Sequence, residues 1–256
     1  MKDMISVIIR NKSESNDLEQ LLSILKQQYS EDIDEIIVVD NESTDASIEV
    51  AKKYNSKVVT IQDFSYGRAC NLGVENASGE YCVFLSSHII PFGEDFFKNI
   101  SKCFTRDEQI AGLRYCKNLQ EVKSYYEGKT SLDDLNAYGI MNAASVIKKS
   151  VWEQVKFNED VNTSEDKIWT RDVALKGYKV AILPNIFFYL NQRTTKEELS
   201  RYKKHKKAMK LNPDIYEQTK QPSSLYSFLH GTSTAFRIFL RRFGFLLKRL
   251  WIDLTN

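Results

Sequence analysis

Four short apolar runs near the start of the chain alternate with helical segments, and this alternation restricts the fold more than any other feature. The runs cover residues 5–9, 35–40, 57–61 and 81–86. The segments between them, at about 16–28, 45–54 and 67–77, have the apolar spacing or the start signals of helices. Strands joined by helices in this order form a parallel sheet with right-handed crossovers. The sequence therefore predicts an α/β fold.

Each predicted strand ends in polar residues, at the edge where open α/β sheets bind ligands. These residues are Arg10 and Asn11, then Asp40 and Asn41, then Asp63, then Ser86, Ser87 and His88. Because the carboxyl ends of parallel strands meet at one edge, we expect a cleft of nucleotide size there. The chain contains neither GxGxxG nor GxxxxGK[ST], so dinucleotide-binding and P-loop chemistry are not supported.

Charge is distributed unevenly along the 256 residues. The net charge of +2 carries no nucleic-acid signature, but residues 196–256 contain 13 Lys and Arg against five Asp and Glu, which leaves −6 for residues 1–195. This asymmetry favours a catalytic body with a basic tail that meets an anionic surface or substrate. The four cysteines show no paired or zinc-type spacing, and we expect reduced cytosolic thiols.

The basic tail begins with a predicted helix at 196–210 and a proline-containing linker at 212–224. Residues 225–254 then predict one or two amphipathic helices, with basic groups on one side and a broad apolar arc on the other. Such a helix suits a membrane interface, and it also suits packing against the catalytic domain or in a dimer. We expect no transmembrane span, because the sequence has no run of about 18 uncharged apolar residues, and no signal peptide.

Five segments taken together resemble the family 2 glycosyltransferases of the GT-A fold, over roughly residues 4–190. The segments are SVIIRNKSE, EIIVVDNESTD, DFSYGRACNLG, SGEYCVFLSSHIIP and TSEDKIW. The resemblance implies a Rossmann-like, mostly parallel sheet flanked by helices, and inverting transfer from a nucleotide-sugar. It also implies a catalytic domain at 1–195, divided into a nucleotide-binding half (1–92) and an acceptor and sugar half (93–195). The basic helical extension at 196–256 remains outside it.

Several donor-binding residues follow from this resemblance. The loop that lines the base and ribose corresponds here to Arg10, Asn11 and Glu14. The alternative interpretation of these residues is an exposed loop before a helix. Asp40, with Asn41 beside it, is placed to accept the N3–H of uracil or thymine, and its alternative is a turn or capping aspartate.

The segment DFSYGRACNLG places Gly67 at a tight turn and Arg68 at a helix start. Arg68 and Asn71 correspond to a pair near the donor diphosphate. Their alternative is ordinary polarity on the surface of a helix.

Ser86, Ser87 and His88 occupy the position where most relatives carry Asp-x-Asp and hold a divalent cation. The chain is similar here to a subset of the family with Ser-x-His. Ser86 remains able to bond a sugar hydroxyl. His88 has three interpretations: a ligand to a cation, which suits Mn²⁺ better than Mg²⁺; a direct contact to the diphosphate or sugar; or a structural histidine.

The segment TSEDKIW corresponds to the family's second acidic motif. Inverting transfer needs a base for the acceptor hydroxyl. The resemblance assigns that role to Asp166, with Glu165 positioning the acceptor or the base; the alternative is an acidic first helical turn. Asn142 is expected to reach the sugar. Trp152 is expected in the core, and Trp169 is assigned to the acceptor or sugar although core packing suits it equally.

These observations lead to one main hypothesis and two alternatives. The main one is a cytoplasmic, inverting transferase that moves a sugar, most simply from a UDP-sugar, onto a glycan or polyprenyl-linked acceptor in surface polysaccharide synthesis. Peripheral membrane contact through 225–254 and a homodimer are compatible with it, and no nucleic-acid partner is expected. The alternatives are a nucleotide-sugar-binding scaffold without catalysis and a sugar-1-phosphate nucleotidyltransferase. The latter lacks its expected glycine-rich loop, because VIIRNKSES contains no glycine.

Overall fold

The computed structural model describes residues 4–161, 163–190 and 195–216. Within these ranges the strands are β1 (Ile5–Asn11), β2 (Glu35–Asp40), β3 (Lys57–Thr60), β4 (Tyr81–Ser86), β5 (Ile89–Pro91), β6 (Ile110–Cys116), β7 (Ala144–Lys148) and β8 (Lys179–Tyr189). The helices are α1 (Ser15–Gln28), α2 (Ser47–Lys53), α3 (Tyr66–Glu75), α4 (Ile100–Arg106), α5 (Leu119–Tyr126), α6 (Leu135–Tyr138), α7 (Lys149–Trp152), α8 (Glu165–Ala174), α9 (Thr195–Leu211) and α10 (Pro213–Tyr216). The four predicted strands and three predicted helices of the first half are confirmed.

The strands form one sheet in the order β3-β2-β1-β4-β7-β6-β8-β5. Strands β1 to β4 pair in parallel, as predicted from the alternating pattern. Strand β7 runs antiparallel to both β4 and β6, whereas β6 and β8 are parallel and β5 is antiparallel to β8. The second half of the sheet is therefore mixed, a feature that the apolar runs did not predict.

The central strands are buried on both faces, and alternate residues contribute to two separate cores. In β1, Val7 and Ile9 pack with α1, whereas Ile8 points to the opposite face and packs with α3. In β4, Val83 joins the first core and Phe84 the second. Strands covered by helices on both sides need a continuous apolar run, which explains the sequence pattern.

The basic segment after residue 195 is helical as predicted, but the predicted linker differs at its start. Pro213–Tyr216 forms α10, a short helix whose Ile215 and Tyr216 pack on Ile168 of α8. The predicted amphipathic helices at 225–254 lie outside the described residues. None of the helices in the described ranges combines the length and the apolar content that a bilayer crossing requires.

Candidate active site

The strand order changes direction at β1, and this creates a crevice at the carboxyl ends of β1 and β4. The chain passes from β1 outward to β2 and β3, then returns to add β4 on the other side of β1. The register sets Arg10 beside Ser86, and Asn11 beside Asp40. Open α/β sheets bind ligands outside such a switch point.

A cavity of about 940 Å³ opens at this crevice. Its lining includes Arg10, Ser86 and His88, and also Glu165 and Asp166 at the start of α8. This volume is within the range of small-ligand sites. The fold thus brings the strand-end triplet and the acidic pair, which are far apart in the sequence, into one cavity.

The two acidic residues of the pair have different surroundings. Glu165 is buried, and its Oε1 accepts a hydrogen bond from Asn142 Nδ2 at 3.2 Å. Asp166 is partly exposed, and its Oδ1 accepts the backbone N–H of Lys167 at 2.8 Å. Asp166 is therefore held at the cavity surface, whereas Glu165 lies behind it.

Arg10 links the first strand to Glu165. Its Nη1 lies 3.5 Å from Glu165 Oε1, and its Nη2 donates to the Asn142 carbonyl at 3.0 Å. The guanidinium also lies over the ring of Tyr66, 5.5 Å from the centroid. Burial, then the charge of Asp166, raises the pKa of Glu165 to about 7, and Arg10 opposes that rise. A carboxyl that titrates near neutral pH in a cleft is a feature of functional sites.

The strand-end triplet is anchored by Glu14. Ser87 is buried, and its hydroxyl donates to Glu14 Oε2, which also lies 3.3 Å from His88 Nδ1. The His88 ring stacks on Tyr189 with centroids 5.9 Å apart. The hydrogen bond with His88 lowers the pKa of Glu14 against the effect of burial. If Nδ1–H donates to this carboxylate, Nε2 is the ring nitrogen that has no hydrogen-bond partner among the described residues.

Several basic residues of the cavity were missed by the sequence analysis, Lys167 and Arg114 among them. Lys167, directly after the acidic pair, donates from Nζ to the carbonyls of Gly139 and Ile140, both at 3.0 Å. Burial lowers the pKa of Lys167 to about 7. Arg114 of β6 pairs with Glu121 at 2.7 Å. The adjacency of Lys167 to the acidic motif was the available signal, whereas nothing local indicated Arg114.

Comparison with known proteins places the chain in a family. Residues 6–187 match the family described as Glycosyl transferase family 2. The chain belongs to this family. Its fold is the GT-A fold of this family.

Curated relatives of this family 2 member include two named glycosyltransferases. A Methanococcus voltae protein, named dolichyl N-acetyl-alpha-D-glucosaminyl phosphate 3-beta-D-2,3-diacetamido-2,3-dideoxy-beta-D-glucuronosyltransferase, is 24% identical over 72% of this chain and 65% of its own length. A poly(ribitol-phosphate) beta-glucosyltransferase from Bacillus spizizenii is 26% identical over 78% of this chain and 34% of its own length. The chain therefore spans between one third and two thirds of the length of these relatives.

A solved structure supports the fold. Glucosyl-3-phosphoglycerate synthase from Mycobacterium tuberculosis, in complex with Mn²⁺, UDP and glucosyl-3-phosphoglycerate, superposes with a TM-score of 0.61. Its sequence is 16% identical, and the match covers 87% of this chain and 82% of that protein. The likeness shows that both chains share the GT-A architecture.

Three predicted base-binding residues of this family 2 chain are engaged with one another and do not line the cavity. Asp40 is buried; its Oδ1 accepts from Asn11 Nδ2 at 3.2 Å and its Oδ2 accepts from the Ser43 N–H at 2.9 Å. The Asn41 N–H donates to the Asn11 carbonyl at 3.0 Å. The structure thus shows the turn-forming arrangement that was the alternative for Asp40. Glu14, which was expected near the base and ribose, instead contacts Ser87 and His88.

The predicted diphosphate pair is also directed elsewhere. Arg68 pairs with Asp63 and, at 3.2 Å, with Glu159. Asn71 is buried; its amide donates to Glu159 Oε1 at 2.8 Å and its oxygen accepts from the Phe157 N–H at 3.0 Å. Both side chains therefore hold the 157–159 loop in front of the acidic motif, and neither lines the cavity.

The two tryptophans and Asn142 are all buried, and of the three Asn142 lines the cavity. Trp169 is fully buried and donates to the Val155 carbonyl at 2.7 Å, so its assignment to the acceptor or sugar is corrected to core packing. Trp152, which donates to Asn71 at 2.9 Å, lies in the core as predicted. Asn142 lines the cavity, but its amide is directed at Glu165.

Proposed function

We propose that the chain is an inverting glycosyltransferase that moves a sugar from a nucleotide-sugar, with UDP as the nucleotide, to a hydroxyl group of a glycan or lipid-linked glycan. The observation that carries this proposal is the position of Asp166 in the same cavity as the carboxyl ends of β1 and β4. Because Asp166 and the strand ends line one cavity, a donor held at the strand ends brings its anomeric carbon into the space that the base lines. UDP in the solved structure described above is consistent with this choice.

Six of the cavity residues have roles in this mechanism. Asp166 takes the proton of the acceptor hydroxyl as the oxygen attacks the anomeric carbon. Glu165 lies behind Asp166, held by Asn142 and Arg10, and it positions the base. Ser86 and His88 lie at the strand ends and face the donor. The sugar then occupies the space between these two groups.

The site suits a divalent cation bound chiefly by the donor. Among the described residues, no three His, Cys, Asp or Glu side chains cluster as a cation cage. His88 would hold the ion through Nε2 together with phosphate oxygens, since imidazole is a suitable ligand for Mn²⁺. When bound, the cation offsets the charge of the departing diphosphate. Mn²⁺ accompanies UDP in the solved structure.

The cellular setting follows from the sequence of the tail. We propose a role in surface polysaccharide synthesis, on the cytoplasmic side of the cell membrane, with peripheral contact through 225–254. The basic and apolar sides of that segment support membrane contact, and its apolar arc equally supports a homodimer. Pelleting of the full chain with anionic and neutral vesicles separates the two: binding to anionic vesicles alone supports the membrane role.

The first experiment tests the donor and the base together. UDP-, GDP- and dTDP-sugars are screened by thermal shift with Mn²⁺ and with EDTA, and UDP release is then measured with glycoside acceptors. Asp166→Asn is expected to lower UDP release by about 10²- to 10⁴-fold while the shift produced by UDP stays unchanged. Asp172→Asn, on the same helix but outside the cavity, is the matched control. Full activity in Asp166→Asn would refute the base, and absence of any nucleotide-dependent shift would refute the function.

A further inference from the structure

One wall of the cavity comes from helices beyond the family-matched range. Ser200, Lys204 and His205 of α9 and Tyr216 of α10 line the cavity, whereas the family match ends at residue 187. The wall is thus built by a segment that the family match does not include.

The wall is attached to the helix of the acidic pair. The Tyr216 hydroxyl lies 2.8 Å from Ser164 Oγ, directly before Glu165, and the His205 ring lies edge-on to Tyr216 at 5.3 Å. Asp214 pairs with Arg171 of α8 at 3.2 Å. Ile168, Ala208, Ile215 and Tyr216 form an apolar cluster behind these contacts. Packing and polar contacts thus keep α9 beside the base.

The charges around the cavity do not balance. The described Lys and Arg residues that line it are Arg10, Arg114, Lys117, Lys167 and Lys204, and the carboxylates are Glu121, Glu165 and Asp166. Arg10 pairs with Glu165, and Lys167 is the neighbour of Asp166. Glu121 is shared between Arg114 at 2.7 Å and Lys117 at 3.5 Å. Lys204 pairs with no carboxylate among the described residues, so the excess of about two positive charges falls on Lys117 and Lys204.

We infer that the cavity binds a phosphate or diphosphate group of the acceptor between this wall and the end of β6, with Lys204 of the wall and Lys117 after β6 as its ligands. The inference rests on the proposed function, because it names the acceptor class of that transfer. The donor diphosphate belongs at the strand ends with Ser86 and His88, whereas Lys204 lies on the wall beside the base, where the acceptor approaches. Ammonium groups bind phosphate as point charges, and a doubly charged group matches the excess.

The test measures binding of two soluble probes to the full chain by calorimetry, with and without UDP. Geranyl diphosphate represents a lipid carrier and ribitol 5-phosphate represents a phosphate-containing glycan, with geraniol and ribitol as uncharged counterparts. Lys204→Glu is expected to weaken binding of the charged probe about tenfold or more and to leave UDP affinity unchanged. Lys203→Glu is the matched control, because Lys203 is exposed on the same helix and does not line the cavity. Its effect is expected to be less than about twofold.

The results separate the possible sources and the two hypotheses. Binding of geranyl diphosphate alone identifies a lipid diphosphate, and binding of ribitol 5-phosphate alone identifies a phosphoglycan. Equal effects of the two lysine variants, loss of UDP affinity in Lys204→Glu, or equal binding of charged and uncharged probes overturns the inference. UDP binding with no probe binding refutes the inference alone. Probe binding with no UDP binding refutes the proposed function alone.

Discussion

His88 is held by two neighbours that its sequence position did not reveal. Glu14 approaches Nδ1 from the loop after β1, and Tyr189 stacks on the ring from the end of β8. Ser87, the buried middle residue of the triplet, donates its hydroxyl hydrogen to the same Glu14 carboxylate. Neighbours of this kind set the tautomer and orientation of a histidine. With Nδ1–H donated to Glu14, the ring presents Nε2 to the cavity, as the proposed role at the donor requires.

A double-mutant cycle tests whether Glu14 acts through His88. Glu14→Ala and His88→Ala are each expected to lower UDP-sugar affinity. The double variant is expected to lose little more affinity than His88→Ala, because both substitutions disrupt the same pair of side chains. Glu14→Gln should retain much of the affinity, since its amide oxygen can accept from Nδ1–H. Calorimetric titration with and without Mn²⁺ provides the measurement, and Glu49→Gln, exposed on α2, is the control. Additive losses would show that the two side chains act separately.

Glu165 is expected to make stability depend on pH. Its pKa is raised from 4.5 to about 7, chiefly by burial. Between these values the unfolded chain has ionised this carboxyl while the folded chain keeps it protonated, so stability falls as pH rises and stops falling above about pH 7. Relative to Glu165→Gln, the wild type should lose about 1–3 kcal/mol between about pH 5 and 7.5, measured by denaturant unfolding. The titration of Lys167 contributes to the stability of both proteins, so it cancels in the difference between them. A constant difference would contradict the raised pKa.

Helix α3 shows how one element serves the site without touching it. Its Arg68 and Asn71 hold the 157–159 loop, and Gly67 lets the loop approach the helix closely. The sequence predicted a tight turn at Gly67, but the structure shows a different reason for glycine. A Cβ atom at this position would overlap the carbonyl oxygen of Asn158. The element therefore positions the segment that leads into the acidic motif.

Gly67→Ala is expected to destabilise the fold by about 1–3 kcal/mol, because the added methyl group forces the backbone of the loop away. The midpoint of denaturant unfolding gives this value. Glu75→Ala, at the far end of the same helix and in a partly exposed pair with Lys156, should change stability by less than about 1 kcal/mol. A Gly67→Ala protein as stable as the Glu75→Ala protein would show that the loop yields without cost.

Across the whole molecule, the strand order joins two halves of the chain at one cavity. The switch point between β1 and β4 supplies Arg10, Ser86 and His88, and α8 supplies the acidic pair. Helices α9 and α10, which the composition presented as part of a separate basic tail, contribute a wall. Because Lys204 is part of that wall, the positive charge of this segment lies partly inside the candidate site.

The residues of the first half and their order were enough to predict the parallel strands, the helices between them and the edge where the site lies. Apolar periodicity and polar strand ends can be read from neighbouring residues. Because crossovers between parallel strands are right-handed, the order of strands and helices along the chain then limits the topology of the sheet. The hydrogen-bond partner of each polar side chain could not be predicted from the sequence in this way. Asp40 bonds to Asn11 and Ser43, and Asn71 bonds to the 157–159 loop, whereas neither lines the cavity. Lys204 lines the cavity because Ala208 of its own helix, with Ile215 and Tyr216, packs on α8. Such contacts join residues distant in the sequence, so they were decided by packing.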